Sequence, residues 1–192
     1  MLASRADGAP FGDVMRQRVL APLGMRDTAF HAGDAARLAT AYEVHGGELV
    51  LSDPPDGQWS SPPAFHDGGA GLVSTVDDVV AFGRMLATGG GPVLARATAA
   101  EMTRDQLTPA QREFWPGFSF LDERSWGYGV AVAGDGRYGW EGGSGTMWAN
   151  VPSQDLTVVV LTQRSFDEHG PPAICGDVLD AARAGVATTD SG

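Results

Sequence analysis

The chain has no lysine, and this absence limits its chemistry more than any other feature of its composition. All 13 basic residues among its 192 are arginine, against 24 acidic residues, and the formal net charge is −11. A chain this acidic, with no basic cluster, is poorly suited to bind nucleic acid or an anionic membrane surface. Cys175 is the only cysteine, which excludes an internal disulfide.

Long hydrophobic runs and metal-binding patterns are also lacking. No apolar stretch approaches the length of a membrane span, and the first residues, M-L-A-S-R-A-D, do not form a signal peptide, so the cellular location stays open. The four histidines show no metal-ligand spacing: His31, His45, His66 and His169. We therefore expect no metal, and no cofactor motif is present.

What is present suits one domain, over residues 1–192, with a sizeable core. Residues 10–105 carry capping and turn signals that indicate a mainly helical and loop part. These signals predict a helix from Pro10 to Gly24, a hairpin turn at Gly46-Gly47, an irregular loop over 53–71, a helix capped by Ser74 or Thr75 and ended by the glycines at 89–91, and a helix over 96–105.

Residues 125–184 change to strand patterns and end in one amphipathic helix. Short turns separate the segments, and parallel strands would need much longer crossovers, so we expect an antiparallel meander. The fold class is therefore α+β, an antiparallel β-meander covered by helices. The predicted segments are strands over Trp126–Val132, Tyr138–Gly142, Thr146–Val151 and Thr157–Thr162, and a helix over Pro172–Ala184.

The last predicted strand, T-V-V-V-L-T, is almost continuously apolar, as a strand buried on both faces would be. In a simple meander this strand lies at the edge of the sheet, and proteins normally cover an apolar edge. We therefore expect a neighbouring strand that these residues do not supply, or self-association through the exposed sheet edge.

Ser144 lies in G-G-S-G-T, which nearly matches the G-x-S-x-G motif of the α/β-hydrolases, and Asp155 and His169 follow in the matching order. That motif needs a turn from a strand into a helix. Here T-M-W-A-N-V follows, and it has the pattern of a strand. The residues thus favour a glycine-rich bend between strands, with a Ser144, Asp155 and His169 hydrolase as an alternative.

Four stretches together resemble the superfamily of serine β-lactamases, penicillin-binding proteins and esterases, especially its class C-like branch. The resemblance covers residues 10–184. The first stretch, V-L-A-P-L-G-M-R-D-T-A-F (19–30), is similar to the segment after the second active-site motif, and the second, G-G-A-G-L-V-S-T-V-D-D-V-V-A-F-G-R-M-L (68–86), is similar to a glycine turn and the helix after it. The third, G-W-E-G-G-S-G-T-M-W (139–148), is similar to the third-motif strand, and the fourth, P-S-Q-D-L-T-V-V-V-L-T-Q (152–163), is similar to the strand after it.

The resemblance implies roles for particular residues. Trp140, Glu141 and Gly142 match the third motif in its tryptophan form, and the Gly143 N–H would donate to the oxyanion. Ser144 would then be a turn residue. Further residues could border the substrate: Tyr128, Trp148 and Gly69 as possible pocket walls, and Trp59, Trp115 and Phe118 as loop residues at a rim.

The family's Ser-x-x-Lys needs a lysine, and no Tyr-x-Asn is present either, so no catalytic residue is identified. We therefore expect the C-terminal portion of a serine hydrolase, with the N-terminal strands and helices missing, inactive alone and acting on a small acyl substrate when complete. Tryptophan in place of a base, and Glu141 in place of a small residue, favour an uncharged ester or amide. The second alternative is a non-catalytic binding module on the same fold.

Overall fold

The computed structural model describes residues 2–113 and 124–189. Trp115 and Phe118, named above as rim residues, lie outside the described residues. The helices are α1 (Leu2–Asp7), α2 (Phe11–Met15), α3 (Ala21–Leu23), α4 (Val76–Ala87), α5 (Arg96–Met102), α6 (Pro109–Glu113) and α7 (Ala173–Thr189). The strands are β1 (Ala41–His45), β2 (Glu48–Asp53), β3 (Arg124–Trp126), β4 (Ala131–Ala133), β5 (Tyr138–Gly142), β6 (Thr146–Val151) and β7 (Leu156–Leu161).

The predicted helix after Pro10 is confirmed, although it is not uniformly α-helical. A π-helical stretch, Arg16–Leu20, joins α2 to α3, and the helix ends at Gly24, whose φ of 71° is left-handed. A glycine at this position closes a helix without steric cost. The helix therefore ends within the P-L-G-M stretch, as its proline and glycine predict.

The N-terminal hairpin and the long helix also form where the sequence indicates. Gly46 and Gly47 have φ of 60° and 86°, as the turn between β1 and β2 requires. The Thr75 side chain accepts a hydrogen bond from the Asp78 N–H at 3.4 Å and caps α4. Two short helices, α1 and α6, were not predicted, and α5 ends at Met102 rather than at residue 105.

The main sheet is a five-stranded antiparallel meander in the order β3-β4-β5-β6-β7, as expected. The prediction of one strand over Trp126–Val132 was wrong, because β3 ends at Trp126 and β4 begins at Ala131. The Gly127 N–H donates to the Val130 carbonyl at 2.9 Å, and Gly129 has a φ of 79°, so the chain reverses there. Alternation of side chains does not distinguish one strand from two short strands around a glycine turn.

Helices cover both faces of the sheet and form two apolar clusters. Val159 of β7 packs with the cluster on the α4 side, and Val158 packs with the cluster on the α7 side. The α4-side cluster contains Met85, Leu86, Ala99, Val130, Val132, Tyr138 and Trp148. The α7-side cluster contains Met147, Ala149, Val151, Val158, Cys175 and Leu179. The sandwiching of β7 explains its nearly continuous apolar sequence.

A buried polar network ties α4 to the sheet. Asn150, which is 1% exposed, donates to the Gly83 carbonyl at 2.8 Å and to the Tyr138 hydroxyl at 3.0 Å. The side-chain amide oxygen of Asn150 accepts a hydrogen bond from the Thr157 hydroxyl at 2.8 Å. Gly83 must be a glycine here, because a Cβ would lie 2.4 Å from the Trp148 indole nitrogen. Helix α4 therefore packs closely against β6.

Within residues 2–113 and 124–189, β7 pairs with β6 and with no strand on its other side. No residue of β7 is charged, and Leu161 is exposed. Just beyond β7 the chain pairs with the start of β1: the Tyr42 N–H donates to the Gln163 carbonyl at 2.7 Å, and the Ser165 N–H donates to the Tyr42 carbonyl at 2.9 Å. The edge of β7 is therefore the open, apolar edge that the sequence predicts.

Candidate active site

Strand β5 ends in a tight turn in which two backbone donors have no acceptor among the described residues. β5 ends at Gly142 and β6 begins at Thr146, and the Gly145 N–H closes the turn by donating to the Gly142 carbonyl at 2.9 Å. The Gly143 carbonyl accepts from the Phe166 N–H at 2.8 Å. No described residue accepts a hydrogen bond from the Gly143 N–H, and a Cβ on Gly143 would meet no atom within 4 Å. The Ser144 N–H also has no acceptor among the described residues, so the turn offers the N–H groups of Gly143 and Ser144 to an outside acceptor.

A second glycine in the turn allows the chain after β7 to approach closely. Gly145 has a φ of 79°, and a Cβ there would lie 1.8 Å from the Arg164 carbonyl oxygen. The Gly145 carbonyl accepts from the Thr162 hydroxyl at 2.7 Å and from the Thr162 N–H at 3.2 Å. Residues 162–166 therefore hold the turn from one side.

Trp140 forms an aromatic pair beside the turn. Its ring lies edge-on to Trp126, with ring centroids 4.8 Å apart and an interplanar angle of 86°. Trp140 is 45% exposed, and in register it lies opposite Trp148 on β6. The exposed Trp140 indole is an apolar surface on β5, the strand that directly precedes the Gly143 N–H.

Glu141 does not present an uncompensated charge. Its carboxylate forms an ion pair with Arg124 of β3, and the two side chains are only 19% and 27% exposed. Arg124 was not predicted as a site residue, although a half-buried acid on a strand generally needs a cationic partner. Burial raises the pKa of the Cys175 thiol, and the negative charge of Glu141 raises this pKa further. Cys175 is therefore held as an unreactive thiol.

The residues predicted as pocket walls lie in different environments. Tyr128 lies in the turn between β3 and β4 and is 61% exposed. Gly69 lies in the loop before α4, where its N–H donates to the Asp67 carboxylate at 2.9 Å. Trp148 is buried and packs edge-on against Phe82 of α4 at 5.3 Å between ring centroids, so its ring is part of the core. The backbone carbonyl of Trp59, a predicted rim residue, accepts a hydrogen bond from the Ala32 N–H.

The alternative that uses Ser144, Asp155 and His169 is contradicted by the topology. Ser144 lies in a turn between two antiparallel strands, not in a turn from a strand into a helix. Asp155 follows the opposite end of β6, roughly 20 Å along the strand. The His169 side chain is 84% exposed and lies 3.7 Å from Glu168. The three residues do not form a triad.

In the part of the chain that the structure covers, no cluster of histidine, cysteine and carboxylate residues has the arrangement of a metal site. Nor does any described helix combine the length and apolarity needed to cross a membrane. His66 stacks on Phe30 with ring centroids 4.3 Å apart, which gives one of the four histidines a packing role.

Comparison with known proteins decides the family. The Beta-lactamase family model matches residues 1–174. This chain belongs to the Beta-lactamase family. The sequence-based resemblance to β-lactamases, penicillin-binding proteins and esterases is thereby confirmed, as is the α+β fold with an antiparallel sheet.

Three relatives show how much of a Beta-lactamase family protein the chain represents. Protein Rv1367c of Mycobacterium tuberculosis is 33% identical over 87% of this chain and 47% of its own length. Esterase EstB of Burkholderia gladioli is 27% identical over 89% of this chain and 48% of its own length. The solved structure of EstCE1, described as a hydrolase with promiscuous acyltransferase activity, has a TM-score of 0.73 and 28% identity over 86% of this chain and 49% of that one. The chain spans about half the length of the curated relatives it matches.

Proposed function

We propose that this chain is the C-terminal portion of a serine hydrolase that cleaves small, uncharged acyl esters or amides, and that it contributes the oxyanion-binding strand but no nucleophile. The observation that carries the proposal is the Gly143 N–H, which has no acceptor among the described residues and lies in an exposed turn directly after the strand that holds Trp140. In acyl transfer, a backbone N–H in this position stabilises the negative charge that develops on the carbonyl oxygen.

The proposal that the chain has no nucleophile rests on its lack of lysine. A serine needs a base to remove its proton, and the family's Ser-x-x-Lys supplies a lysine, which this chain does not contain. With a Ser-x-x-Lys segment beside β5, the serine would pass its proton to the lysine and attack the acyl carbonyl. The bond to the alcohol or amine would break, that group would leave with the proton, and an acyl-serine would remain. Water would then hydrolyse the acyl-serine to the free acid and the free serine. Trp140 and Gly143 would hold the acyl group and its oxygen. The chain alone would therefore be inactive.

The proposed substrate is an uncharged acyl compound. The third motif has Trp140 in the first position, so no cation from this motif meets a substrate carboxylate. Glu141 contributes less to this preference than its charge suggests, because Arg124 compensates it. Two similar proteins are named as an esterase and as a hydrolase with acyltransferase activity, which supports the choice of esters.

The open edge of β7 also supports a partial structure. We propose that a strand from the N-terminal portion pairs with β7, whose six residues are uncharged and have no second partner among the described strands. A stand-alone binding module would be expected to cover such an edge. The binding-module alternative is therefore disfavoured.

The proposal is tested by comparing this chain with a longer product that includes it, obtained by extending the same reading frame upstream of Met1. We expect no turnover of p-nitrophenyl butyrate by the chain alone. The longer product should carry Ser-x-x-Lys and hydrolyse this ester with a kcat/KM well above that for the β-lactam nitrocefin. Ester turnover by the chain alone, or a longer product without that motif, contradicts the proposal.

Gly143 can be tested in the longer product by a matched pair of variants. Gly143→Pro removes the N–H and should lower kcat by about 100- to 1,000-fold, the range measured for loss of one oxyanion donor. Gly143→Ala keeps the N–H and has room for its Cβ, so it should lose far less. Thermal unfolding of both variants separates misfolding from loss of the donor. Equal losses in two folded variants would contradict the role of the N–H.

A further inference from the structure

Thr162 lies just after β7 and reaches back to the turn that carries the Gly143 N–H. Its hydroxyl is 2.7 Å from the Gly145 carbonyl oxygen and 3.2 Å from the Arg164 carbonyl oxygen. A hydroxyl has one proton, and the shorter distance assigns it to the Gly145 carbonyl. The hydroxyl oxygen also accepts from the Arg164 N–H at 3.3 Å, so both the donor and an acceptor site of Thr162 are used.

The bond from Thr162 is linked to the Gly143 N–H through three peptide units: the one that contains the Gly145 carbonyl, the one that contains the Gly145 N–H, and the one between Gly142 and Gly143. The Gly145 carbonyl is held by Thr162, and the Gly145 N–H in turn donates to the Gly142 carbonyl at 2.9 Å. The Gly142 carbonyl and the Gly143 N–H belong to one planar peptide unit and point in opposite directions. Holding the Gly142 oxygen inside the turn therefore directs the Gly143 N–H out of it.

The turn has few other means of fixing this direction. It consists of glycines on either side of Ser144, and glycine adopts either sign of φ with little cost. Two backbone anchors act beside the Thr162 hydroxyl: the Thr162 N–H donates to the Gly145 carbonyl at 3.2 Å, and the Phe166 N–H donates to the Gly143 carbonyl at 2.8 Å and thus holds the next peptide unit. Without the Thr162 hydroxyl, the Gly145 carbonyl would keep only the longer bond from the Thr162 N–H, and the Gly145 N–H would hold the Gly142 carbonyl less firmly.

The segment that carries Thr162 is itself anchored to the N-terminal hairpin. Tyr42 at the start of β1 bonds to both sides of Arg164, through the Gln163 carbonyl at 2.7 Å and the Ser165 N–H at 2.9 Å. The Gln163 side chain donates to the Thr40 carbonyl at 2.9 Å. Thr162 is therefore held on a fixed support, as a residue that positions another group requires.

We propose that Thr162 is the positioning residue of the oxyanion turn: its hydroxyl fixes the peptide between Gly142 and Gly143 so that the Gly143 N–H faces the acyl oxygen. This inference rests on the proposed function for its catalytic meaning. The direction of the peptide is a property of the chain alone, so it can be measured whether or not the proposed function is correct.

The test uses amide NMR of the chain with three variants. Thr162→Val keeps the shape and removes the hydroxyl, Thr162→Ser keeps the hydroxyl, and Thr157→Val is a matched control, because Thr157 donates a similar 2.8 Å bond to Asn150 at the other end of β7. Thr162→Val should shift the Gly143 and Gly145 resonances and speed hydrogen exchange of the Gly145 amide about five- to tenfold, as loss of one hydrogen bond predicts.

Rescue and the control decide the outcome. Thr162→Ser should restore the Gly143 and Gly145 resonances and the slow exchange, and Thr157→Val should leave both unchanged although it also loses a hydrogen bond. If Thr162→Val leaves these signals as in the unsubstituted chain, or if Thr157→Val moves them equally, Thr162 has no positioning role.

A kinetic arm in the longer in-frame product separates this inference from the proposed function. Thr162→Val should lower kcat for p-nitrophenyl butyrate about tenfold at unchanged KM, with recovery in Thr162→Ser. An unchanged kcat overturns the positioning role in catalysis. NMR changes as expected in a longer product that hydrolyses no ester would instead overturn the proposed function and leave the structural role of Thr162 standing.

Discussion

The Thr28 hydroxyl donates a 2.8 Å hydrogen bond to the Asp78 carboxylate, and both residues are buried. The same carboxylate oxygen accepts from the Asp27 N–H at 2.9 Å, and the Thr28 hydroxyl oxygen lies 2.7 Å from that of Ser74. These bonds join the segment after Gly24 to the first turn of α4. Two stretches that are 50 positions apart in sequence are thus held together by one buried carboxylate.

Replacement of Asp78 by alanine should therefore be costly. It leaves the Thr28 hydroxyl and the Asp27 N–H without their acceptor, and we expect a loss of about 2–3 kcal/mol in the free energy of unfolding. Asp77→Ala is the matched control, because Asp77 is an exposed acid in the same helical turn. Urea unfolding measures both, and equal losses would mean that the network adds nothing beyond the effect of an acid at the helix start.

Gly145 should tolerate no side chain. Gly145→Ala forces a Cβ into a left-handed conformation and against the Arg164 carbonyl, so we expect a loss of about 2 kcal/mol or more. Gly143→Ala, two residues earlier, meets no atom within 4 Å and should cost only a few tenths of a kcal/mol. Urea unfolding of the two variants checks the turn geometry, and a stable Gly145→Ala variant would contradict it.

The ion pair between Arg124 of β3 and Glu141 of β5 should stabilise the sheet by linking two strands that are separated by β4. Because the two side chains are about a fifth to a quarter exposed, we expect a coupling energy of about 1 kcal/mol, reduced at high salt. A double-mutant cycle with Arg124→Gln and Glu141→Gln isolates this energy from the other contacts of each residue. A coupling energy of zero would contradict a stabilising role for this ion pair.

Tyr138 should make the fold sensitive to alkaline pH. Burial raises the pKa of the Tyr138 hydroxyl, and the hydrogen bond from Asn150 lowers it by less. The folded state thus favours the neutral phenol. Stability is fully present below the unfolded tyrosine pKa of about 10 and falls as pH rises above it. Urea unfolding between pH 9 and pH 11 should show this decline, and Tyr138→Phe should show a shallower one; identical slopes would contradict it.

Much of the fold could be predicted from the sequence because its signals are local. Glycine pairs, the Thr75 cap and the apolar segments mark turns, helix α4 and strands β5, β6 and β7 with small errors at their ends. The antiparallel order follows from the short connections. The division between β3 and β4 was missed, because alternation continues through the glycine turn at 127–130.

The candidate site was predictable only where it lies in one continuous stretch. Trp140 to Gly143 form such a stretch, and its glycines signal a turn. Arg124 pairs with Glu141, and Thr162 and Phe166 bond to the turn, all from other parts of the chain. Nothing in the local sequence of these three residues indicates the contacts. Trp148, expected as a possible pocket wall, packs with the α4-side cluster, and its role as a wall stays a prediction, since a tryptophan on a strand has the same sequence pattern in either role.

The central claim is that this chain holds the oxyanion strand of a serine hydrolase without its nucleophile. The most direct measurement is intact mass spectrometry of the purified, folded chain after incubation with a fluorophosphonate, followed by peptide mapping. We predict an unchanged mass, with Ser144 unmodified. A stoichiometric adduct on Ser144 or any other serine of the chain would contradict the claim and show that the nucleophile is already present.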